Sequence, residues 1–217
     1  MQYNFSSLWT QPDNGDVVGL IGPNCQRLQV KIVSARRDTA DAARYHLTGL
    51  TKVNGYLSRF SGVLVLKQVR EIRRLAARMD ETLPPARQEG MLLADYELRE
   101  DAAKTKTGVF RGVAQTYWYV DKRGRLQYDD IYGTGNGYCN NQFVGTWTSY
   151  ATEKARRCNW GDFRLPNSGD FDSGAGEFSP NPKYYAHGWQ SYAALGSGNG
   201  DAAAKARQRE AQASWWK

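Results

Sequence analysis

The sequence predicts a mainly β protein: a strongly curved antiparallel sheet or barrel of about eight to ten strands, followed by a C-terminal helical tail. Three observations carry that expectation. Apolar residues recur with a period of two, as in Leu28, Val30 and Ile32, which is the pattern of a strand with one buried face. Strand-like runs are separated by tight-turn residues, among them Asn54-Gly55, which takes the positive φ of a two-residue hairpin at little cost. Finally, Phe60-Ser61-Gly62, Phe110-Arg111-Gly112 and Phe143-Val144-Gly145 each place a ring and a glycine two positions apart, on one face of a strand. Leu47-Thr48-Gly49 is an aliphatic version. Glycine inside a strand is tolerated where the sheet bends or another backbone comes close, and a neighbouring ring can cover it. A flat β-sandwich with bulges is the alternative architecture.

In chain order, residues 1–24 read as an irregular lead-in, rich in polar residues, Pro and Gly. Residues 25–195 form one β domain. Its strands are expected at Arg27–Ala35, Arg44–Val53, Leu57–Leu66, Met91–Leu98, Thr107–Val120, Leu126–Tyr128, Phe143–Tyr150 and Ala155–Trp160, with a strand-like Tyr184–Tyr192 closing it. Over 68–82 the pattern supports two readings. Val65, Val69, Ile72, Ala76, Met79 and Leu83 repeat at helical spacing, while the preceding residues favour a continued edge strand; Pro84-Pro85 ends either one. On the Thr107–Val120 strand, the even face (Phe110, Gly112, Ala114, Thr116, Trp118, Val120) mixes small and large residues as a tapered interior requires, and the odd face is more polar. Gly133–Asn141 reads as a flexible loop and Gly161–Lys183 as a long packed loop of the kind that often carries function. Residues 196–217 are a Gly-rich linker and an Ala-rich helical tail.

Composition narrows the classes. With 217 residues, 7 Trp, 13 Tyr and 7 Phe, the chain has the apolar area that a disordered protein lacks. It holds no apolar run of the roughly 20 residues that a spanning helix needs. The formal net charge is +7. Residues 27–78 are strongly basic and 80–101 strongly acidic, so pairing between the two blocks reduces the surface open to a polyanion, and nucleic acid is a disfavoured partner. No targeting signal stands at Met1–Thr10, and location is left open; the richness in Tyr, Trp, Asn and Gly resembles secreted or periplasmic β-proteins, for which the numbering would begin after a removed leader. Cys25, Cys139 and Cys158 allow at most one disulfide, with a bridge from Cys25 favoured and no bridge as the other outcome. None lies in a C-x-x-C and only His46 and His187 accompany them, so a structural zinc site is poorly supported. No motif implies a cofactor.

Gly145-Thr146-Trp147 resembles the Gly-x-Trp of lipocalins over three residues. In that family the motif lies on the first strand, whereas here it falls in the last third of the chain, so the resemblance implies an architecture and no membership.

Candidate chemistry gathers near the C-terminal loop. Asp162, Asp170, Asp172, Glu177 and His187 are the candidate catalytic residues, since two carboxyls about 5 to 9 Å apart would serve a hydrolase as acid and base or nucleophile. Asp170, Asp172 and Glu177 are also the candidates for an irregular calcium site; Gly174, Ala175 and Asn181 break the regular calcium-loop pattern. Trp118, Trp147, Trp160, Arg164 and Trp189 are the candidate ligand-binding residues. The serine-hydrolase elbow, the zinc-protease helix and the P-loop are all absent, and a Cys158–His187 nucleophile pair competes with the commoner buried structural cysteine. The sequence therefore favours a non-enzymatic binding module for a small ligand, a glycan or a protein, because barrel mouths are a frequent pocket location. The alternative is a hydrolase, with carbohydrate as one candidate substrate, using carboxylates of the 160–177 loop.

Overall fold

The strand periodicity is realised in nine antiparallel strands: β1 (Val17–Ile21), β2 (Gln26–Arg37), β3 (Arg44–Val53), β4 (Tyr56–Glu71), β5 (Ala86–Glu100), β6 (Gly108–Asp121), β7 (Leu126–Tyr128), β8 (Asn140–Ser149) and β9 (Ala155–Asp162). The computed structural model describes residues 3–13, 16–72, 86–131, 137–196, 201, 204–206, 208, 215 and 216. Hydrogen-bonded neighbours run β5-β4-β3-β2-β1-β9-β8-β6-β7, and β5 also pairs with β6. That last pairing closes the sheet into a barrel, with β7 as a short flap on one end of β6. A sandwich would leave free edges, so the alternative architecture falls away.

Curvature comes from bulges and glycines. Bulges interrupt the ladders at Ile32/Ser34, Leu66/Gln68, Ala86/Gln88 and Asn140/Phe143. Each adds a residue to one strand and sharpens the local bend. The bulge after Leu66 also explains the ambiguous stretch: it shifts the phase of alternation, so that Val65, Val69 and Ile72 mimic a helical repeat while the chain stays extended through Glu71. Residues 73–85, including Pro84-Pro85, lie outside the described residues.

The glycines act across strands. Phe60 lies over Gly49, directly opposite on β3, and Trp118 lies over Gly90 on β5. Trp147 covers Gly108, and the Tyr96 hydroxyl approaches Gly145. The ring therefore shields a glycine on the neighbouring strand, not the one two residues along its own. Gly112 and Gly145 face each other across β6 and β8, where a side chain on either would meet the partner backbone.

The inward face of β6 is the even face, with Phe110, Ala114, Thr116, Trp118 and Val120 buried. At mid-height Phe143 stacks on Trp160 at 4.5 Å between ring centroids, and Tyr96 packs edge-on against both. One end is sealed by the N-terminal segment. Its 3-10 turn (Ser6–Trp9) inserts Phe5, Leu8 and Trp9, all buried, against Trp118 and Tyr45. The segment expected to be an irregular lead-in thus holds a plug and the whole of β1.

Residues 163–196 leave β9 and cross the outside of β1, where Leu165, Phe171, Phe178 and Trp189 cover Val18, Leu20 and Cys25. Because β1 is buried on both faces, it has no polar alternation to betray it. The expected strand at Tyr184–Tyr192 is a correction: the chain forms a 3-10 turn (Pro182–His187) and a helical turn (Gln190–Ala193). Pro182 presets the first position, the Asn181 side chain accepts from the Lys183 N–H, and Gly188 at φ 92° ends the turn. The described residues 201, 204–206 and 208 are helical. Lys31 Nζ lies 5.8 Å from the Trp216 ring centre, which ties the tail to the outside of β2. All three cysteines are free thiols, so the bridge favoured for Cys25 does not form. Among the described residues no helix is long and apolar enough to cross a membrane.

The close approach at Gly62 involves only the backbone of Glu97 and Leu98, which has no flexible side chain to yield. Gly62→Ala is expected to cost about 1–3 kcal/mol in urea unfolding, the usual range for overpacking a tight interior. An unchanged midpoint would mean that β4 and β5 are not held so close.

Candidate functional site

The end opposite the plug is formed by four turns, at 22–25, 54–55, 101–107 and 150–154. It encloses a cavity of about 850 Å³. Its geometry follows from register. Thr51 faces Ser58 across β3 and β4, Glu100 lies beside Phe60, Phe110 beside Trp147, and Trp147 beside Arg156. Directly opposed residues of an antiparallel pair share a face. All of these side chains therefore belong to the inner wall. Phe110 and Ile21 supply an apolar floor, while Val53, Tyr56 and half-buried Trp147 supply the sides.

Glu100 organises this wall. Only 7% exposed, its carboxylate accepts from Thr51 Oγ1 at 2.7 Å, from the Gly108 N–H at 2.9 Å and from Trp147 Nε1 at 2.9 Å. These three bonds fix the indole of Trp147 along the cavity and tie β3, β5, β6 and β8 together at the mouth. The rim is cationic. Lys106 sits with its ammonium 3.4 Å from the centre of the Tyr56 ring, and Lys154 and Arg156 line the cavity near it. The segment 163–196 that crosses β1, the strap, brings His187 to the same rim, where its carbonyl accepts from Gln26 Nε2 at 2.8 Å.

Of the ligand-binding candidates, the mouth takes Trp147 alone. Trp118 is buried beneath the N-terminal plug and Trp160 is locked at mid-barrel. Trp189 lies outside the barrel in the strap core, donating to the Cys25 carbonyl at 2.7 Å. Arg164 is the strap's internal staple: its guanidinium reaches Asp172 Oδ2 at 2.7–2.8 Å and the carbonyls of Gly174 and Gly176 at 2.9 and 3.0 Å. A fixed cation thus occupies the oxygen-lined loop considered for calcium. Among the described residues no three His, Cys, Asp or Glu side chains gather to hold a metal ion, so Asp170, Asp172 and Glu177 form no ligand set.

The carboxylates proposed for hydrolysis have separate duties. Asp172 holds Arg164 and accepts from the Gly174 and Ser179 N–H groups. Asp170 is exposed and engages Lys183 and the Tyr184 hydroxyl. Glu177 points to solvent, and His187 stands at the mouth. Asp162 is buried at the plugged end. There Tyr128 Oη and Asn141 Nδ2 each donate to its Oδ2 at 2.8 Å, while Asn141 also donates to the Leu8 carbonyl and accepts from Thr116, which itself accepts from Trp9. This chain fastens the plug to the barrel. Burial pushes the Asp162 carboxyl up to about 7, against the lowering effect of its two donors. Burial likewise raises the Cys158 thiol well above its usual range, the setting of a structural cysteine.

The residues that the sequence reading missed are Glu100, Arg156, Lys154 and Lys106. Glu100 and Arg156 stand at the ends of strands and continue the inward alternation of Leu98 and Cys158, which was the available signal. Comparisons with family models, with curated proteins and with solved structures find no match to this chain.

Asp162 also sets a pH dependence. Its folded pKa of about 7 exceeds the unfolded value of 3.8. Between these values the unfolded chain has released a proton that the folded chain keeps, so stability falls as pH rises from about 4 to 7 and levels off above. A shift of about three units corresponds to at most about 4 kcal/mol. Asp162→Asn retains both acceptor contacts and is expected to flatten this slope and to raise stability at pH 8. Parallel pH profiles of chemical denaturation for the two proteins would contradict the assignment.

Proposed function

We propose that this protein is a non-enzymatic binding module that holds a small molecule reversibly in the open mouth of its barrel. The single observation that carries this reading is the cavity of about 850 Å³ at the end left open by the N-terminal plug. Its size falls in the range of small-molecule sites, and its wall is mostly apolar with few placed polar groups, as such sites are.

Two features favour holding over chemistry. Glu100, the carboxylate set deepest in the mouth, already accepts three hydrogen bonds, which suits an anchor better than a proton carrier. Of the carboxylates considered for hydrolysis, Asp170 and Asp172 fasten the strap, Asp162 fastens the plug, and Glu177 is exposed and apart from them. The filled middle of the barrel, with Phe143 on Trp160, limits any guest to the mouth.

Ser58 and Val53 line the cavity from β4 and β3. Ser58→Trp and Val53→Trp are each expected to fill it. The neutral dye N-phenyl-1-naphthylamine should bind the native chain saturably at one site and lose at least tenfold in affinity for either variant that keeps its melting temperature. Undiminished dye binding by both folded variants would place the site elsewhere.

A further inference from the structure

The rim of the cavity carries a charge that the fold itself does not use. Arg156 continues the inward series Trp160, Cys158 on β9 and stands opposite Trp147, so it faces the cavity at its entrance. Lys154 is the last residue of the turn between β8 and β9 on the same rim. Among the described residues, neither has a carboxylate within ion-pair distance. Glu100, the one acid lining the mouth among the described residues, already accepts from Thr51, Gly108 and Trp147, and Lys106 is drawn over the Tyr56 ring. A guest entering here meets two uncommitted cations first and an apolar floor of Phe110 and Ile21 last.

We propose that the mouth selects an amphipathic anion, whose apolar body packs against Phe110 and Trp147 while its single carboxylate, sulfonate or phosphate head stays at the rim beside Arg156 and Lys154. This rests on the binding reading above. The order of groups follows from access: among the described residues the barrel is filled below Phe110 and its large opening is at the cationic end, so the apolar end goes in first and the head remains where solvent still reaches it. A guanidinium and an ammonium there reward an anion and repel a cation, and charge at the entrance also speeds encounter. A sugar chain would leave its hydroxyls against an apolar wall, and a nucleic-acid strand would find a closed floor.

The test is displacement of bound N-phenyl-1-naphthylamine by three ten-carbon competitors below their micellar concentrations: decanoate, decanol and decyltrimethylammonium. Decanoate should compete about tenfold better than decanol, with the cation weaker than both, and its advantage should shrink as salt is raised. The double variant Lys154→Glu/Arg156→Glu, both positions being exposed, should lose about tenfold for decanoate while decanol is unchanged; Arg156→Gln alone should lose less. If the dye binds but decanol matches decanoate, or the double variant competes like the native chain, anion selection is wrong while the mouth remains a binding site. If the dye does not bind the native chain at all, the binding reading fails and this proposal with it.

Discussion

Closing a sheet of this size on itself leaves too little room for a large side chain at every inward position, and the structure meets that constraint by setting rings over bare backbone on adjacent strands. Phe60 over Gly49, Trp118 over Gly90 and Trp147 over Gly108 are three instances at different heights of the barrel. Each glycine lets a neighbour approach, and each ring fills the space that the absent side chain leaves. The remaining architecture follows. A wall curved in this way has an interior filled by Tyr96, Phe110, Phe143 and Trp160, and a filled interior pushes all polar chemistry to the two ends.

The ends then diverge in purpose. At one, a buried chain of hydrogen bonds from Trp9 through Thr116 and Asn141 to Asp162 and Tyr128 holds the N-terminal plug, at the expense of a carboxyl kept out of water. At the other, a carboxylate is satisfied by donors from three strands, and cations are left facing the opening. The strap from residue 163 onward links the two, since it leaves β9 beside Asp162, crosses β1 and delivers His187 to the mouth.

The barrel was legible in the sequence where one face is wet. β2, β3 and β6 alternate over much of their length, and Asn54-Gly55 turns with both residues at positive φ, as its chemistry demands. What was hidden had physical causes. β1 is covered on both sides and shows a continuous apolar run in place of alternation. β4 changes phase at a bulge and imitates a helix. The aromatic and glycine signal was real, but its partners sit on neighbouring strands, a relation that spacing within one strand cannot display. The site was harder still. Asp170, Asp172 and Arg164 drew attention because loops concentrate such residues, yet Arg164 and Asp172 hold the loop's own backbone and Asp170 engages Lys183 and the Tyr184 hydroxyl. Glu100 and Arg156 look like ordinary strand-end charges until closure of the ring turns them inward.

The barrel is packed through its middle, and the proposed binding puts a guest only at the Phe110–Trp147 end. Fluorine NMR of protein carrying 5-fluorotryptophan, with each of its 7 tryptophan resonances assigned by single Trp→Phe variants and N-phenyl-1-naphthylamine as the titrant, tests it most directly. The Trp147 signal is expected to move with saturation while those of Trp118, Trp160 and Trp189 stay in place. Movement of Trp118 or Trp160 with Trp147 unaffected would show a guest in the interior or beneath the plug, and would contradict the account.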